Sequence, residues 1–379
     1  MKKHALALMA IAATASAQQA SNPTMNPFLT LMTKAGTHAA AHGAKTPPVL
    51  SPNDATLLGP NPAVNVAELH KAGFRVIPWT TNDPAKIRAL IALRVDGIIS
   101  DRPDILQSVL REEKAAAPDA AAYFASFDVA AHRGGRGLRP ENTLPSFESG
   151  LDQLATTLET DTGVTTDGVS LIWHDQFLNP QSCRKSDGSP YTLENKVYTR
   201  DISSVEAQKT FICDKLHFGA DQKNDLTLSP VAVAFAKQEH LISPYVPTYA
   251  EQLFRFVAFY THFYKDGPGK GTPDAEVRWR NAETVRFNLE TKILPELPPA
   301  MAKAAGEPDG NHTVGPEAFV KALCGAIKRN RMEGRAEVQS FDYRTLILVE
   351  EQYPEIPTYY LTGDPKTLSS ELVPSALRP

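Results

Sequence analysis

The stretch FRVIPWTTNDPAKIRALIALRVDGIIS, Phe74 to Ser100, contains two short apolar runs separated by a segment with helical spacing. FRVIPWT and VDGIIS have the length and the branched and aromatic residues that are typical of buried strands. Between them, Asp83 is a favourable helix N-cap residue and Pro84 suits the first helical position. A strand, a helix and a second strand form the unit from which parallel sheets are built, so this stretch predicts an α/β fold.

Six further strand patterns follow an alanine-rich spacer that ends near Ser126. They are FDVAAH from Phe127, TLETDTGV from Thr157, VSLIWHD from Val169, VRFNLETKI from Val285, AEVQSF from Ala336 and PTYYLTG from Pro357. Together with the two earlier strands they reach the strand number of a TIM (β/α)8 barrel. The alternation is also compatible with a doubly wound open sheet, and 379 residues are enough for one large domain or two smaller ones.

The composition is that of an ordinary soluble globular protein. Hydrophobic residues make up 42% of the chain, charged residues make up 22%, and the formal net charge is -4. This balance leaves no basic excess for contacts with phosphate backbones. The sequence therefore predicts no nucleic-acid partner.

The beginning of the chain has the pattern of a bacterial-type secretory signal peptide. Lys2 and Lys3 precede an apolar run from Ala5 to Ala13, and Ala15-Ser16-Ala17 has the small residues of a cleavage site. The apolar run is too short to span a bilayer, so no stable membrane insertion is expected. The sequence therefore predicts a periplasmic or secreted protein from which residues 1–17 are removed.

The segment 18–49 is rich in Ala, Thr, Pro and His and has little periodicity, which predicts a flexible N-terminal arm. His38 and His42 in this segment have the spacing of one helix turn and would suit a metal. No carboxylate accompanies them in the pattern, so a solvated linker is the simpler interpretation.

The chain has three cysteines, so at least one of them is unpaired. Cys324 lies in the helix-like FVKALCGAIKR and is interpreted as a buried free thiol. Cys183 and Cys213 lie in one loop-rich region, and export would permit a disulfide between them. Spacing alone does not decide whether they pair.

Polar residues that could carry chemistry lie at the ends of the predicted strands. The set comprises His132, Arg133, Glu159, Asp161, His174, Glu290 and Lys292. The i, i+2 spacing within ETD and ETK points both charged side chains of each pair to one face of a strand. Because the C-terminal ends of parallel strands meet at one rim of a barrel, all of these side chains are expected to converge. Three converging carboxylates repel one another unless a cation lies between them, and oxygen ligands suit Mg²⁺ or Ca²⁺.

Several ordered motifs resemble the glycerophosphodiester phosphodiesterase family. They are HRGGRGLRPENTLPSFESGL from His132, LETDTGVTTDGVSLIWHD from Leu158 and FNLETKI from Phe287, with VPTYAEQLFRF from Val246 and VQSFDYRTL from Val338 as further matches. That family has a His-Arg-Gly start, a Pro-Glu-Asn-Thr loop, a Glu-x-Asp strand, a Thr-x-Asp-Gly turn before His-Asp, and a Glu-x-Lys strand. The order and number of the motifs make this resemblance much more specific than any one of them.

The resemblance implies a TIM barrel whose cofactor is a divalent metal, Ca²⁺ or Mg²⁺, held by Glu159, Asp161 and Glu290. It also implies two catalytic histidines, His132 and His174, of which one acts as base and the other as acid. Their order is left open. The nucleophile in such a reaction is a neighbouring substrate hydroxyl or water, so no protein nucleophile is required.

Four further residues are predicted to contact or position the substrate. Arg133 and Lys292 would neutralise phosphate charge, and Glu141 would orient a catalytic group or the metal, although a role in a helix N-cap network is the alternative. Trp79 would contact the alcohol portion of the substrate, although packing in the core is equally compatible with its size. The polar insertion predicted at 176–283 is expected to cover the active-site mouth and set specificity.

The implied activity is metal-dependent hydrolysis of a small-molecule glycerophosphodiester to an alcohol and glycerol 3-phosphate. A phospholipase D of the sphingomyelinase type on the same barrel is one alternative. The other is a catalytically inactive barrel that binds phosphorylated headgroups, since functional sites and not folds determine activity.

The order of the motifs departs from that of the family, because FRVIPWTTND and RVDGIISDRPDIL resemble its last two strands yet precede His132. The sequence therefore predicts a single, circularly permuted barrel at 50–379 with strands seven and eight at the N-terminus and an insertion between strands three and four. The parts are 50–114 for the last two strands, 127–175 for the first three, 176–283 for the insertion and a helix, and 284–379 for strands four to six.

A domain swap, which would make the protein an oligomer, and a truncated tandem of barrels are alternatives to the permuted single barrel. The permuted barrel predicts a specific contact, in which Val95 to Ile99 pair with Val129 to Ala131. It also places Trp79 near Glu159 and Glu290.

Overall fold

The computed structural model describes residues 26–293, 312–370 and 373–379. The predicted signal peptide at 1–17 lies outside this part of the chain. None of the helices in the described ranges has both the length and the apolar character needed to cross a membrane.

Strands and helices alternate along most of the described chain, as predicted. The strands are β1 (Val49–Pro52), β2 (Gly97–Ser100), β3 (Asp128–Ala131), β4 (Thr157–Val164), β5 (Ser170–Ile172), β6 (Arg184–Lys185), β7 (Phe211–Ile212), β8 (Arg286–Thr291), β9 (Ala336–Ser340) and β10 (Thr358–Thr362). The α-helices are α1 (Pro27–Ala41), α2 (Val66–Lys71), α3 (Pro84–Ala92), α4 (Pro103–Ala116), α5 (Ala121–Ser126), α6 (Leu144–Asp152), α7 (Ser204–Thr210), α8 (Pro230–Gln238), α9 (Ala250–Lys265), α10 (Ala275–Thr284), α11 (Pro316–Arg329) and α12 (Tyr343–Gln352).

Seven of these strands form one parallel sheet in the order β1-β10-β9-β8-β4-β3-β2. The segment 76–79 lies between its two outer strands and joins them. Val76 pairs with Leu50 of β1 in parallel, and the Ile99 N–H of β2 donates to the Pro78 carbonyl at 2.9 Å. The described chain therefore closes an eight-membered parallel barrel by itself, which confirms the predicted α/β barrel class and leaves the sheet without an open edge.

The predicted contact between the N-terminal strands and the strand before His132 is present. Ile98 of β2 pairs with Val129 of β3, and Ile99 pairs with Ala130. The register partners Ile99 and Ala130 belong to a buried apolar cluster in the barrel interior, together with Val49, Ile77 and Tyr359. The N-terminal strands thus pack as part of the barrel and not as a separate domain, whereas the permutation relative to the family stays a prediction.

The predicted third barrel strand is not a barrel strand. β5 pairs antiparallel with β4, with Gly163 opposite Leu171, and a tight turn at 165–168 joins the two. A parallel connection needs a dozen or more residues, so a turn of this length permits only a hairpin. β1 takes the missing place, so three barrel strands precede Ser126 and five follow it.

The predicted flexible arm at 18–49 is wrong for its described part, residues 26–49. Asn26 caps the N-terminus of α1, and one face of the helix, including Phe28, Leu31 and Met32, is fully buried against the barrel. An Ala- and Thr-rich segment lacks obvious periodicity, but alanine is the best helix former and small residues allow close packing. α1 is therefore an integral helix of the barrel's outer layer.

The predicted insertion at 176–283 contains a small subdomain and helices. β6 and β7 form a two-stranded antiparallel sheet, and Cys183 and Cys213 beside it are joined by a disulfide bond. Cys324 is a buried free thiol in α11, as predicted. α8 and α9 pack on the barrel, so only the first part of the segment lies over the rim.

β2 and β3 pack so closely that adding a single methyl group tests their contact. A Cβ added at Gly97 would lie 2.4 Å from the Asp128 Cβ and 2.6 Å from its carbonyl oxygen. We expect Gly97→Ala to lower the free energy of unfolding by about 1–3 kcal/mol, measured by urea denaturation, because the strands must move apart. Gly334→Ala is the matched control, since its Cβ would meet no atom within 4 Å. Equal stability of the two variants would contradict the close packing of β2 against β3.

Candidate active site

Three carboxylates lie together inside the C-terminal rim of the barrel, as predicted. Glu159 and Asp161 belong to β4 and Glu290 belongs to β8, where Asp161 and Glu290 are register partners. All three are buried, and one carboxylate oxygen of each lies within 4.8 Å of the others. Burial and the neighbouring carboxylates raise the pKa of Glu159 well above its usual range, and burial also raises the pKa of Glu290.

The cluster has the features of a site for a divalent cation. Asp161 Oδ1 is buried and has no hydrogen-bond partner within the described part of the chain. Burial acts to raise the pKa of Asp161, but Arg133 and other nearby cations hold it below its usual range, so this group is a carboxylate. An unpartnered anionic oxygen between two further carboxylates fits Mg²⁺ or Ca²⁺, which bind hard oxygen ligands.

His132 is held in position by an acidic residue that the sequence analysis did not single out. Its Nδ1 lies 2.5 Å from Asp101 Oδ1, and its Nε2 lies 3.9 Å from Glu159 Oε2. Because the Asp101 carboxylate can only accept a hydrogen bond, the imidazole carries its proton on Nδ1. This contact directs Nε2 towards the carboxylate cluster. Burial lowers the pKa of His132 to about 4 even though Asp101 acts to raise it. His132 is therefore neutral at pH 7.

Asp101 follows β2 directly, so the N-terminal part of the barrel contributes to the site. Its Oδ1 also accepts from Arg136 Nε at 2.6 Å, and its Oδ2 accepts from Asn82 at 2.8 Å. A sequence signal existed, because Asp101 ends a strand just as His132 does. The sequence predicted that this strand would lie next to the strand of His132. It did not predict that the Asp101 side chain would reach the His132 ring.

A conservative change at Asp101 tests this positioning role. We expect Asp101→Asn to lower kcat by about 10- to 100-fold with little change in KM, because a misplaced proton on His132 impairs proton transfer and not binding. Asp104→Asn is the matched control, since Asp104 pairs with Arg102 and not with the histidine. A raised KM with unchanged kcat would show that Asp101 instead contributes to substrate binding.

His174 reaches the rim through the β4–β5 hairpin. The Trp173 N–H donates to the Asp161 carbonyl at 3.0 Å, which fixes the backbone beside the carboxylates. His174 Nδ1 lies 2.7 Å from Asp175 Oδ1, and Asp175 in turn accepts from Asn179. His174 is thus oriented by an adjacent acid, as His132 is by Asp101, and it is about one-third exposed.

Arg133 and Glu141 form a buried ion pair behind the carboxylates. Arg133 has φ +51°, a left-handed conformation, and its guanidinium lies 2.7 Å from Glu141 and 3.1 Å from Asp161. Asn142 from the same loop donates to Asp161 at 2.9 Å. Glu141 therefore acts on the site through Arg133, and Asn142 of the Pro-Glu-Asn-Thr loop is a further site residue, to which the sequence assigned no role.

Lys292 and Gln339 complete the polar wall. Lys292 Nζ lies 2.8 Å from Glu290, and Gln339 donates to Glu159 at 2.6 Å. Gln339 lies within the matching stretch VQSFDYRTL, but its neutral side chain did not mark it as a site residue.

One cavity of about 160 Å³ gathers these residues. Its lining comprises Trp79, Thr80, Ile99, His132, Arg133, Arg136, Glu159, His174, Glu290, Lys292, Gln339, Phe341 and Leu361. Trp79 is therefore near Glu159 and Glu290, as predicted. Its indole N–H donates to the Ser51 carbonyl, and its ring packs edge-on against Phe341 at 5.4 Å between centroids. Trp79 therefore presents an aromatic surface to the cavity, while its N–H is engaged by the Ser51 carbonyl.

Two stretches of the chain, residues 9–105 and 132–262, match the Glycerophosphoryl diester phosphodiesterase family, and together they cover more than half of the chain. The chain belongs to this family. Both the N-terminal strands and the segment that begins at His132 lie within the match, so the family's sequence pattern extends over both sides of the spacer.

Individual relatives match shorter regions of this chain in sequence. A lysophospholipase D from Mus musculus is 46% identical over 115 residues, which are 30% of this chain and 28% of the mouse protein. A glycerophosphodiester phosphodiesterase from Bacillus altitudinis is 39% identical over 66 residues, which are 17% of this chain and 27% of that protein.

A phosphodiesterase structure from Oleispira antarctica, solved with the product sn-glycerol-3-phosphate, has a TM-score of 0.35 and 16% identity, with 61% of this chain and 64% of that chain covered. The chain thus spans less than a third of the curated relatives that it matches and less than two thirds of this solved structure.

Proposed function

We propose that the protein hydrolyses glycerophosphodiesters to an alcohol and glycerol 3-phosphate. The observation that carries the proposal is the cavity in which two oriented histidines face a buried cluster of three carboxylates. Family membership supports the same reaction. Acid–base groups and a cation site around one cavity are what cleavage of a phosphodiester requires.

The residues divide into groups with different chemical tasks. Glu159, Asp161 and Glu290 would hold the divalent metal, which when bound would neutralise charge on the non-bridging phosphate oxygens. Arg133 and Lys292 add positive charge to the same wall.

The two histidines carry the proton transfers. His132 is neutral at pH 7, so its Nε2 can accept a proton from a substrate hydroxyl or water without first losing one. His174, oriented by Asp175, then protonates the leaving alkoxide. This assignment gives the base role to the less exposed histidine and the acid role to the more exposed one.

The small, polar cavity favours a compact glycerol phosphate group over a large buried ligand. Lysophospholipids are a second candidate substrate class, because the mouse relative is a lysophospholipase D. In that reaction the glycerol phosphate side of the substrate would carry an acyl chain, which would have to extend out of the small cavity.

We further propose that the protein acts outside the cytoplasm, in the periplasm or after secretion. Lys2, Lys3 and the apolar run after them support export, and the disulfide between Cys183 and Cys213 suits an oxidising compartment. An N-terminus at Gln18 in protein recovered from a periplasmic extract is the expected result.

The activity is tested with glycerophosphocholine, glycerophosphoethanolamine and a lysophospholipid as parallel substrates. We expect hydrolysis of the first two to fall by at least about 100-fold in EDTA, and to return when Mg²⁺ or Ca²⁺ replaces the chelator, because metal stabilisation of phosphoryl charge is worth several kcal/mol. Hydrolysis that is insensitive to EDTA would contradict the metal site. Faster turnover of the lysophospholipid would favour the second substrate class.

A further inference from the structure

We propose that His38, His42 and Glu351 form a second metal site, for a borderline transition ion such as Zn²⁺, on the outer surface of the barrel. The two histidines lie one turn apart on and just after α1, and Glu351 is in the last turn of α12. One ligand atom from each residue lies within 4.8 Å of the other two. The histidine pair suits a metal by its spacing alone, and the fold adds a carboxylate from more than 300 residues away.

The hydrogen bonds of both histidines prepare them as ligands. His38 Nδ1 lies 2.8 Å from Glu350 Oε2, and His42 Nδ1 lies 2.9 Å from the His38 carbonyl oxygen. A carboxylate and a carbonyl can only accept, so each imidazole carries a proton on Nδ1, and its neutral form presents Nε2 as the metal ligand. A metal-binding histidine typically donates its other ring nitrogen to a carboxylate or carbonyl in this way.

The partner of His38 is itself fixed, which is unusual for a surface histidine. Glu350 is buried, and its other oxygen accepts from Thr358 at 2.8 Å and from Tyr360 at 2.9 Å. The His38 ring is thereby held with Nε2 facing Glu351, at 3.5 Å from its Oε1. The orientation of the His38 ring therefore has a structural cause, the buried and doubly bonded Glu350.

The ligand set distinguishes this site from the carboxylate cluster in the barrel. Two imidazoles and one carboxylate suit Zn²⁺ and related ions, whereas three carboxylates suit Mg²⁺ or Ca²⁺. The two sites also lie at opposite ends of the barrel. α12 starts after the C-terminal end of β9 and runs back, so its last turn lies beside Thr358 at the N-terminal end of β10.

A metal at this position would join α1 to α12. α1 precedes the first barrel strand and contacts the barrel through its buried face and α12. A bound ion would add a cross-link between these two helices at the point where the chain enters β1. We therefore assign the site a stabilising role, in which an ion that binds only the folded protein raises its stability.

The test is zinc binding by the untagged full-length chain, in excess Mg²⁺, measured by competition with a chromophoric chelator and by thermal unfolding. His42→Ala and Glu351→Gln are suitable variants, because both side chains are exposed and their loss leaves the core intact. His262→Ala is the matched control, an exposed histidine on α9 with one acidic neighbour, Asp266. The carboxylate cluster is the same in all four proteins, so its contribution cancels.

We expect the wild type and His262→Ala to bind one more zinc equivalent than His42→Ala, and zinc to raise their unfolding temperatures but not that of His42→Ala. Glu351→Gln should weaken binding at this site by at least about 10-fold, since even the loss of a ligand's hydrogen-bond partner costs 10- to 100-fold. Equal zinc stoichiometry in the wild type and His42→Ala would overturn the proposal. Unchanged zinc affinity in Glu351→Gln would also overturn it, by reducing the site to an ordinary histidine pair.

Discussion

Replacing His132 with alanine is expected to lower kcat/KM for glycerophosphodiester hydrolysis by about 10²- to 10⁴-fold. Asp101 orients the mostly buried ring and keeps its unprotonated Nε2 at the cavity, 3.9 Å from Glu159 Oε2. Alanine removes this proton acceptor but leaves the carboxylate cluster in place. The measurement is steady-state hydrolysis of glycerophosphocholine with saturating Mg²⁺ or Ca²⁺.

Three companion variants make the result specific. His174→Ala should lose activity within the same range, and the double variant should lose less than the product of the two single effects, because proton transfers within one reaction are coupled. His262→Ala, on the outside of the barrel, should retain full activity. Activity of His132→Ala within tenfold of the wild type would exclude His132 as the catalytic base.

Replacing Glu159 with glutamine is expected to reduce kcat/KM by about 10²- to 10⁴-fold and at the same time leave the chelated protein as stable as the wild type or more stable. The activity falls because a neutral amide is a poor ligand for Mg²⁺ or Ca²⁺, and the metal is worth several kcal/mol in the transition state. Stability is retained because the neutral amide avoids the burial cost and the carboxylate repulsion that raise the pKa of Glu159 in the metal-free cluster.

The surrounding hydrogen bonds allow glutamine at this position. Glu159 accepts from the Arg133 N–H and from Gln339 Nε2, and Gln339 Oε1 has no partner within the described ranges. If the Gln339 amide rotates, its oxygen accepts from the new side-chain amide while the Arg133 N–H keeps its acceptor. Both hydrogen bonds to position 159 can therefore be kept.

The prediction for Glu159→Gln is measured as an unfolding temperature in EDTA and as activity with added metal. Glu337→Gln is the control, a buried glutamate on β9 whose pKa burial raises to about 7 but which lies outside the cavity. It should keep its activity. A fall of several degrees in the unfolding temperature of chelated Glu159→Gln would show that this carboxylate stabilises the fold, in contradiction to the repulsion argument.

Much of the site was predictable because its residues follow strands in recognisable motifs. The pairs Glu159 and Asp161, and Glu290 and Lys292, have the two-residue spacing that places both side chains on one face of a strand. Uncharged residues within the motifs, such as Gln339 and Asn142, gained a role only through their bonds to Glu159 and Asp161.

The errors in the predicted fold have identifiable physical causes. β5 matched a strand pattern, but the pattern does not show the direction of pairing, and the short turn before it forces a hairpin. α1 was interpreted as a flexible arm because alanine-rich sequence gives a weak periodic signal, while the burial of Phe28 and Leu31 depends on a groove formed by distant parts of the chain.

The sequence by itself determined the class of fold, the family and the residues of the carboxylate cluster, because strand periodicity and motif spacing are local properties of the chain. Only the tertiary structure decided that β1 replaces β5 as a barrel strand, that Asp101 orients His132, and that Glu351 joins His38 and His42. Each of these depends on side chains or strands that are distant in sequence and meet only when the barrel closes. Their relative positions are set by packing and register, which no local pattern encodes.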